Sequence, residues 1–256
     1  MKDSKNLLFV GLGVAFWFFA AMIVRFGNEL IFSENSPYLF PLFIATIPIS
    51  YGFLFITMKF AKLKLNELLT PVSIIVLTAM LCDGIAMTWF SSLYGNTSEI
   101  VHYGAAFILW GVFVGLFLAY VHSNEKLLVS SKIFTFIFLG IVFWFSGAMT
   151  VKLLGSLVFT HGNILLFVAY ILAFPISYIF LIISKLFGKI DNSEILKAVV
   201  VMTFAATFFD GIVLTWYRNI YGIVFEHTHL GAAWILWAGG VALLLSFFMS
   251  KKNAAE

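Results

Sequence analysis

Apolar residues run along this chain in blocks of about twenty, near residues 7 to 26, 38 to 58, 69 to 92, 102 to 121, 133 to 153, 163 to 184, 197 to 219 and 229 to 249. Short links between the blocks hold most of the polar side chains. A helix of about twenty residues rises roughly 30 Å, the thickness of a bilayer's hydrocarbon core. A barrel strand would instead be about ten residues of alternating character, and these blocks are continuously apolar. The pattern therefore predicts an all-α integral membrane protein with eight transmembrane helices. The links are no longer than about a dozen residues, too short for a domain outside the bilayer.

The blocks are one unit written twice. Sliding the chain by 127 positions without a gap gives about 45 identities over the 112 or so residues from Leu7 to Leu118. The densest match is Asp83-Gly84-Ile85, Thr88-Trp89, Tyr94-Gly95, Glu99, His102, Gly104-Ala105-Ala106 and Ile108-Leu109-Trp110. It returns as Asp210-Gly211-Ile212, Thr215-Trp216, Tyr221-Gly222, Glu226, His229, Gly231-Ala232-Ala233 and Ile235-Leu236-Trp237. Each copy holds an even number of crossings, so both enter the membrane in the same direction. Two parallel four-helix repeats follow, related by a pseudo-two-fold axis along the membrane normal. Residues 1–122 form the first repeat, 123–132 a cytoplasmic linker and 133–256 the second repeat.

Composition agrees with this class: 62% of the residues are hydrophobic and 11% charged, against about a half and a quarter in soluble domains. The net charge of +3 does not call for a nucleic-acid partner, because the basic residues follow the positive-inside rule. With the N-terminus in the cytoplasm, twelve of the 15 Lys and Arg fall inside and only Arg25, Lys152 and Arg218 outside, which places both termini in the cytoplasm. The lone Cys82 excludes an intramolecular disulfide. Lys2 and Lys5 before an apolar run could be a secretory signal. However, Phe16-Trp17-Phe18 returns in mid-chain as Phe143-Trp144-Phe145, so the first run is expected to be a retained helix. Pro48 and Pro175 predict kinks in the second helix of each copy. Trp89, Trp216, Tyr94 and Tyr221 fall where an outer aromatic belt is expected.

Concentrated chemistry is confined to a few matched positions. Asp83 and Asp210 lie about fourteen residues into their helices, roughly 20 Å from the cytoplasmic end and so in the outer half. An ionised carboxylate there costs at least a few kcal/mol, roughly, unless paired, hydrated or protonated, which makes both candidates for proton-linked transport. Arg25 and Lys152, near the outer ends of the first helices, are placed to neutralise Asp83 and Asp210. Glu99 with His102, and Glu226 with His229, stand three apart at the start of the fourth helices, on one helical face. Glu-x-x-His pairs with further carboxylates hold metals in some bundles, and Asp83, Glu99 and His102 would suit zinc, manganese or iron as a divalent metal site. The plainer alternative is an ordinary helix start, with Thr97 and Ser98 before an acid in the first turn. His161 and His227 have no match between copies and read as outer-surface residues.

An aromatic-rich first helix, a Pro-bearing second, an Asp-bearing third and a fourth with Gly-Ala-Ala and Leu-Trp resemble a family of short bacterial membrane proteins, domain of unknown function 5367. Asp83-Gly84 and Gly104 to Trp110, with Asp210-Gly211 and Gly231 to Trp237, carry the resemblance. It implies a four-helix unit of the bacterial inner (plasma) membrane and brings no activity with it; this chain differs in being duplicated. The first functional expectation is a small-solute or ion transporter or channel, with Asp83 and Asp210 lining a polar cavity between the halves that opens to the outer face. Two alternatives stand beside it: an accessory subunit that docks a membrane-protein partner, and a membrane-embedded metal-site enzyme using Asp83, Glu99, His102 and their counterparts. In every case the lipid bilayer is the principal partner.

Overall fold

The computed structural model describes residues 2–123 and 130–252. Eight helices follow in order: α1 (Lys2–Ile31), α2 (Leu39–Ala61), α3 (Leu69–Trp89), α4 (Ser98–His122), α5 (Ser130–Val158), α6 (Ile164–Gly188), α7 (Asn192–Trp216) and α8 (Phe225–Lys252). All eight are long and apolar enough to cross a membrane, and no strand occurs among the described residues. α5 begins at Ser130, inside the expected linker, while residues 124–129 of that linker lie outside the described residues. α3 and α7 end earlier than their apolar runs. The backbone leaves the helix at Phe90 and Tyr217, and a short 3-10 turn follows at Ser91–Leu93 and Arg218–Ile220.

Polar residues set the other boundaries. Thr97 caps α4 by accepting from the Ile100 N–H at 3.3 Å, and Asn163 caps α6 by accepting from Leu165 at 2.9 Å. α2 and α6 stop at matched lysines, Lys62 and Lys189, in the left-handed conformation with φ of 52° and 46°.

The four-helix copies are interlocked. α3 packs most extensively against α8 of the other half, and α4 against α7, so the third and fourth helices of both copies form an inner bundle. Around it α1 lies on α3, α5 on α7, α2 on α4 and α6 on α8. Within their apolar spans the inner helices bury 44–78% of residues and the outer ones 22–28%. An inner helix is apolar all round because it meets only protein or hydrocarbon, so the alignment of small residues and hydrogen bonds decides its packing.

Those contacts repeat across the pseudo-two-fold axis. A Cβ at Gly84 would lie 2.8 Å from Trp237 Cβ, and one at Gly211 would lie 3.0 Å from Trp110 Cβ, so each half seats a glycine against the other's tryptophan. The indole of Trp110 donates to the Phe43 carbonyl at 2.9 Å, and that of Trp237 to the Tyr170 carbonyl at 3.0 Å. Both carbonyls lie five residues before a helix proline, one position ahead of the carbonyl that Pro48 or Pro175 leaves without a backbone donor. Tyr170 also donates across the halves to the Gly84 carbonyl at 2.8 Å.

Because the most extensive packing joins the two copies, residues 1–126 and 127–256 produced as separate chains should reassemble. Co-expressed in one membrane with a tag on one piece, both should be recovered together in mild detergent. Recovery of the tagged piece alone would contradict the interlocked packing.

Candidate functional site: a buried carboxylate in each half

The turn after α3 determines what Asp83 meets. Having left the helix at Phe90 and passed through the 3-10 turn, the chain brings Tyr94 back into the bundle with its side chain fully buried. The Tyr94 hydroxyl donates to Asp83 Oδ1 at 2.5 Å and accepts from the Trp17 indole N–H of α1 at 2.8 Å. In the second half Trp144 donates to the Tyr221 hydroxyl at 2.7 Å, and Tyr221 donates to Asp210 Oδ1. A phenol has one proton and spare lone pairs, so an indole that can only donate fixes the direction of the chain: Trp to Tyr to Asp. Each bond polarises the next, and a carboxylate with 1% exposure is thereby held in one orientation.

Each carboxylate borders a cavity formed chiefly by its own half. Asp83 lines one of about 130 Å³ among α1 to α4, and Asp210 one of about 410 Å³ among α5 to α8 with Met80 of α3 also in its wall, both walled mainly by apolar and aromatic side chains. The sequence pointed instead to a polar cavity between the halves. A cavity of about 490 Å³ does lie between them, at the loop end, lined by Glu34, Tyr103, Trp216 and Arg218 among others. Neither aspartate lines it. Nearer the aspartates the inner helices approach too closely at Gly84 and Gly211 to leave such a space.

The other candidate residues go elsewhere. Arg25 does not meet Asp83: its guanidinium donates to the Ser92 carbonyl at 3.0 Å and to Asn96 Oδ1 at 2.9 Å, and so braces the link between α3 and α4. Lys152 is exposed, and among the described residues no ion pair joins it to Asp210. The Glu-x-x-His pairs share a helical face but reach different neighbours. Glu99 accepts the Glu34 backbone N–H and Glu226 that of His161, both at 2.8 Å, so these acids fasten the turn between the first two helices of each half. His102 shares a hydrogen bond of 2.9 Å with the Leu214 carbonyl of α7. His229 is equally buried, and neither of its ring nitrogens has a hydrogen-bond partner among the described residues. Among the described residues no three His, Cys, Asp or Glu side chains come together as a metal would require. Within each Glu-x-x-His pair, Glu99 and Glu226 are thus engaged by loop backbone N–H groups, while His102 and His229 are buried.

Tyr94 and Tyr221, assigned by position to an aromatic belt, belong to the site; only Trp89 and Trp216 of that set are exposed. Trp17 and Trp144 were visible as matched residues, but their role was not. The available signal was that both are matched tryptophans with a donor tip in a mostly apolar first helix of each copy.

The fold and the paired sites define a multi-pass helical protein of two parallel four-helix repeats, each with one buried carboxylate. The family of unknown function DUF5367 matches residues 30–126 and again 158–253. The chain belongs to this family, as a tandem duplication. The matched segments take in α2 to α4 and α6 to α8, including both Asp–Tyr pairs, while Trp17 and Trp144 lie outside them. No curated protein and no solved structure matches the chain.

Proposed function

We propose that this protein is a proton-linked transporter of small solutes in the bacterial inner membrane, with both termini cytoplasmic and one carboxylate site per half. One observation carries the proposal. Each buried carboxylate borders a cavity and is held by a neutral Trp–Tyr pair rather than by a basic side chain. An acid buried for structure alone is ordinarily paired with a cation, since removing a lone partner leaves an uncompensated charge costing about 3–5 kcal/mol. Here a proton supplies the compensation, and its displacement by a solute from at least one of the two sites is the coupling step. The titratable groups around the two sites are Tyr94 and Cys82 at Asp83, and Tyr221 at Asp210. An axial channel is disfavoured by the closeness of the inner helices at Gly84 and Gly211.

The test is reconstitution into liposomes loaded with a pH-sensitive dye, followed by imposed gradients of a panel of amines, amino acids and inorganic cations. At least one solute should drive proton movement through the wild type. Asp83→Asn with Asp210→Asn, confirmed folded by circular dichroism and a monodisperse elution, should fall to the level of empty liposomes. Flux unchanged in the double variant, or no solute-driven flux in the wild type across the panel, would remove the proposal.

A further inference from the structure

The two sites have diverged in a way that their shared hydrogen bonds conceal. At the matched positions where α1 faces the first cavity with Phe19, Ala20 and Ile23, α5 faces the second with Ser146, Gly147 and Thr150. Each exchange removes side-chain volume, and two of the three introduce a hydroxyl. The cavities differ accordingly, about 130 Å³ against about 410 Å³. Pockets that enclose a small molecule start at roughly 300 Å³, so only the second half has room for one.

The polar atoms around that space select the charge of its occupant. Ser146 gives its proton to the Val142 carbonyl at 2.8 Å, Thr150 to the Ser146 carbonyl at 2.8 Å and Thr207 to the Thr203 carbonyl at 2.9 Å. The indole N–H groups on the wall are also committed, Trp144 to Tyr221 at 2.7 Å and Trp234 to the Ala169 carbonyl at 3.0 Å. Ser177 likewise donates to the Ala238 carbonyl at 3.3 Å. A hydroxyl that has donated its proton offers only lone pairs, so these groups and the Asp210 carboxylate face the cavity as acceptors, and among the described residues the Thr203 hydroxyl is the lining hydroxyl not given to a carbonyl. No Lys, Arg or His lines it. The aromatic walls add ring faces, which attract cations. The cavity also reaches the membrane-facing perimeter, where Ser146 on α5 and Leu172 and Ile176 on α6 are exposed.

We infer that the second half alone holds the solute site, and that its solute is a lipophilic monocation: an apolar, largely aromatic body carrying one amine, ammonium or phosphonium charge, entering from the bilayer between α5 and α6. The carboxylate compensates the charge, and the apolar and ring-lined wall receives the body. Asp83, walled in by Phe19 and Ile23, keeps its hydrogen-bonded place without room for the same occupant. The inference rests on the transport proposal for what binding accomplishes, but it is tested by binding alone.

Radiolabelled tetraphenylphosphonium is the probe, titrated onto the purified full-length protein in detergent and in nanodiscs. The wild type should show a single saturable site per chain, displaced by benzyltriethylammonium and not by tetraphenylborate. Asp210→Asn should weaken binding at least about thirtyfold, because it removes the buried charge partner, whereas Asp83→Asn should leave it unchanged. Ser146→Phe with Gly147→Ala and Thr150→Ile, which gives the second half the first half's wall at these positions, should abolish binding. Phe19→Ser with Ala20→Gly and Ile23→Thr should create a second saturable site. Binding retained in Asp210→Asn, lost in Asp83→Asn or absent from the wild type would overturn the inference. Site-specific binding without flux would sink the transport proposal and leave this assignment standing, and flux of other solutes without cation binding would do the reverse.

Discussion

Leucine at both Gly84 and Gly211 will prevent the halves from docking, and this is the largest effect expected where the two halves meet. The positions are related by the internal repeat, and each presses on a helix of the other half. A Cβ at Gly84 would lie 2.8 Å from Trp237 Cβ, 3.0 Å from its backbone nitrogen and 3.1 Å from the Ala233 carbonyl oxygen. A Cβ at Gly211 would lie 3.0 Å from Trp110 Cβ and 3.2 Å from its backbone nitrogen. Backbone cannot step aside as the tip of a side chain can, so α8 or α4 would have to move as a whole. Extra methylenes in a packed interior typically cost about 1–3 kcal/mol at one site, and two bulky insertions along one interface approach the roughly 5–15 kcal/mol that holds an ordinary domain together. Single alanine variants should therefore lower the unfolding midpoint measurably in detergent, and the double leucine variant should not yield a monodisperse protein. Gly11 and Gly115 are the controls: a Cβ at either meets nothing within 4 Å, and alanine there should be neutral or slightly stabilising. Double leucine behaving like those controls would mean that the inner helices do not approach as described.

Phenylalanine in place of Tyr94 and Tyr221 will have the second largest effect, and its size will depend on the aspartates. Tyr94 is the described residue that donates to Asp83, and Tyr221 the one that donates to Asp210. Removing the hydroxyl leaves a buried acceptor without its donor at about 1–3 kcal/mol per site, whereas replacing both members of a pair with apolar groups of similar shape is close to neutral. Unfolding of Tyr94→Phe, Asp83→Leu and the double variant should therefore be non-additive by at least about 1 kcal/mol, and the second-half set should behave in the same way. Trp17→Phe and Trp144→Phe remove only the outer link and should cost less, about 0.5–1.5 kcal/mol each. Strict additivity of Tyr94→Phe with Asp83→Leu would break the Trp–Tyr–Asp chain as an energetic unit.

These effects follow from residues whose places were legible in the sequence to different degrees. Asp83 and Asp210 stood out because a carboxylate in an apolar helix is conspicuous. Tyr94 did not, because a tyrosine just beyond a helix end suits a water-facing belt and an inward fold equally well. The 3-10 turn at Ser91–Leu93, which brings its hydroxyl back over eleven residues, decides between them. Trp17 is more remote, 77 residues from Tyr94, and reaches it because the helices pack around the same interior. Glu99 and His102 show the limit of spacing as a guide. Three residues apart on a helix places both side chains on one face, yet one reaches a loop N–H and the other a carbonyl of α7.

The sequence by itself determined the eight apolar helices, the duplication, the parallel sense of the copies and the position of the two aspartates along their helices. These follow from composition, period and length, which are properties of position along the chain. Only the tertiary structure decided that the halves interlock through α3 with α8 and α4 with α7, that the aspartates meet tyrosines rather than Arg25 and Lys152, and that the second cavity is the larger. The physical reason is common to all three. In a chain this apolar, hydrophobicity drives helices into the bilayer but scarcely distinguishes one helix face from another. Partners are then chosen by close packing at glycines and by a few buried hydrogen bonds, each joining residues far apart in sequence.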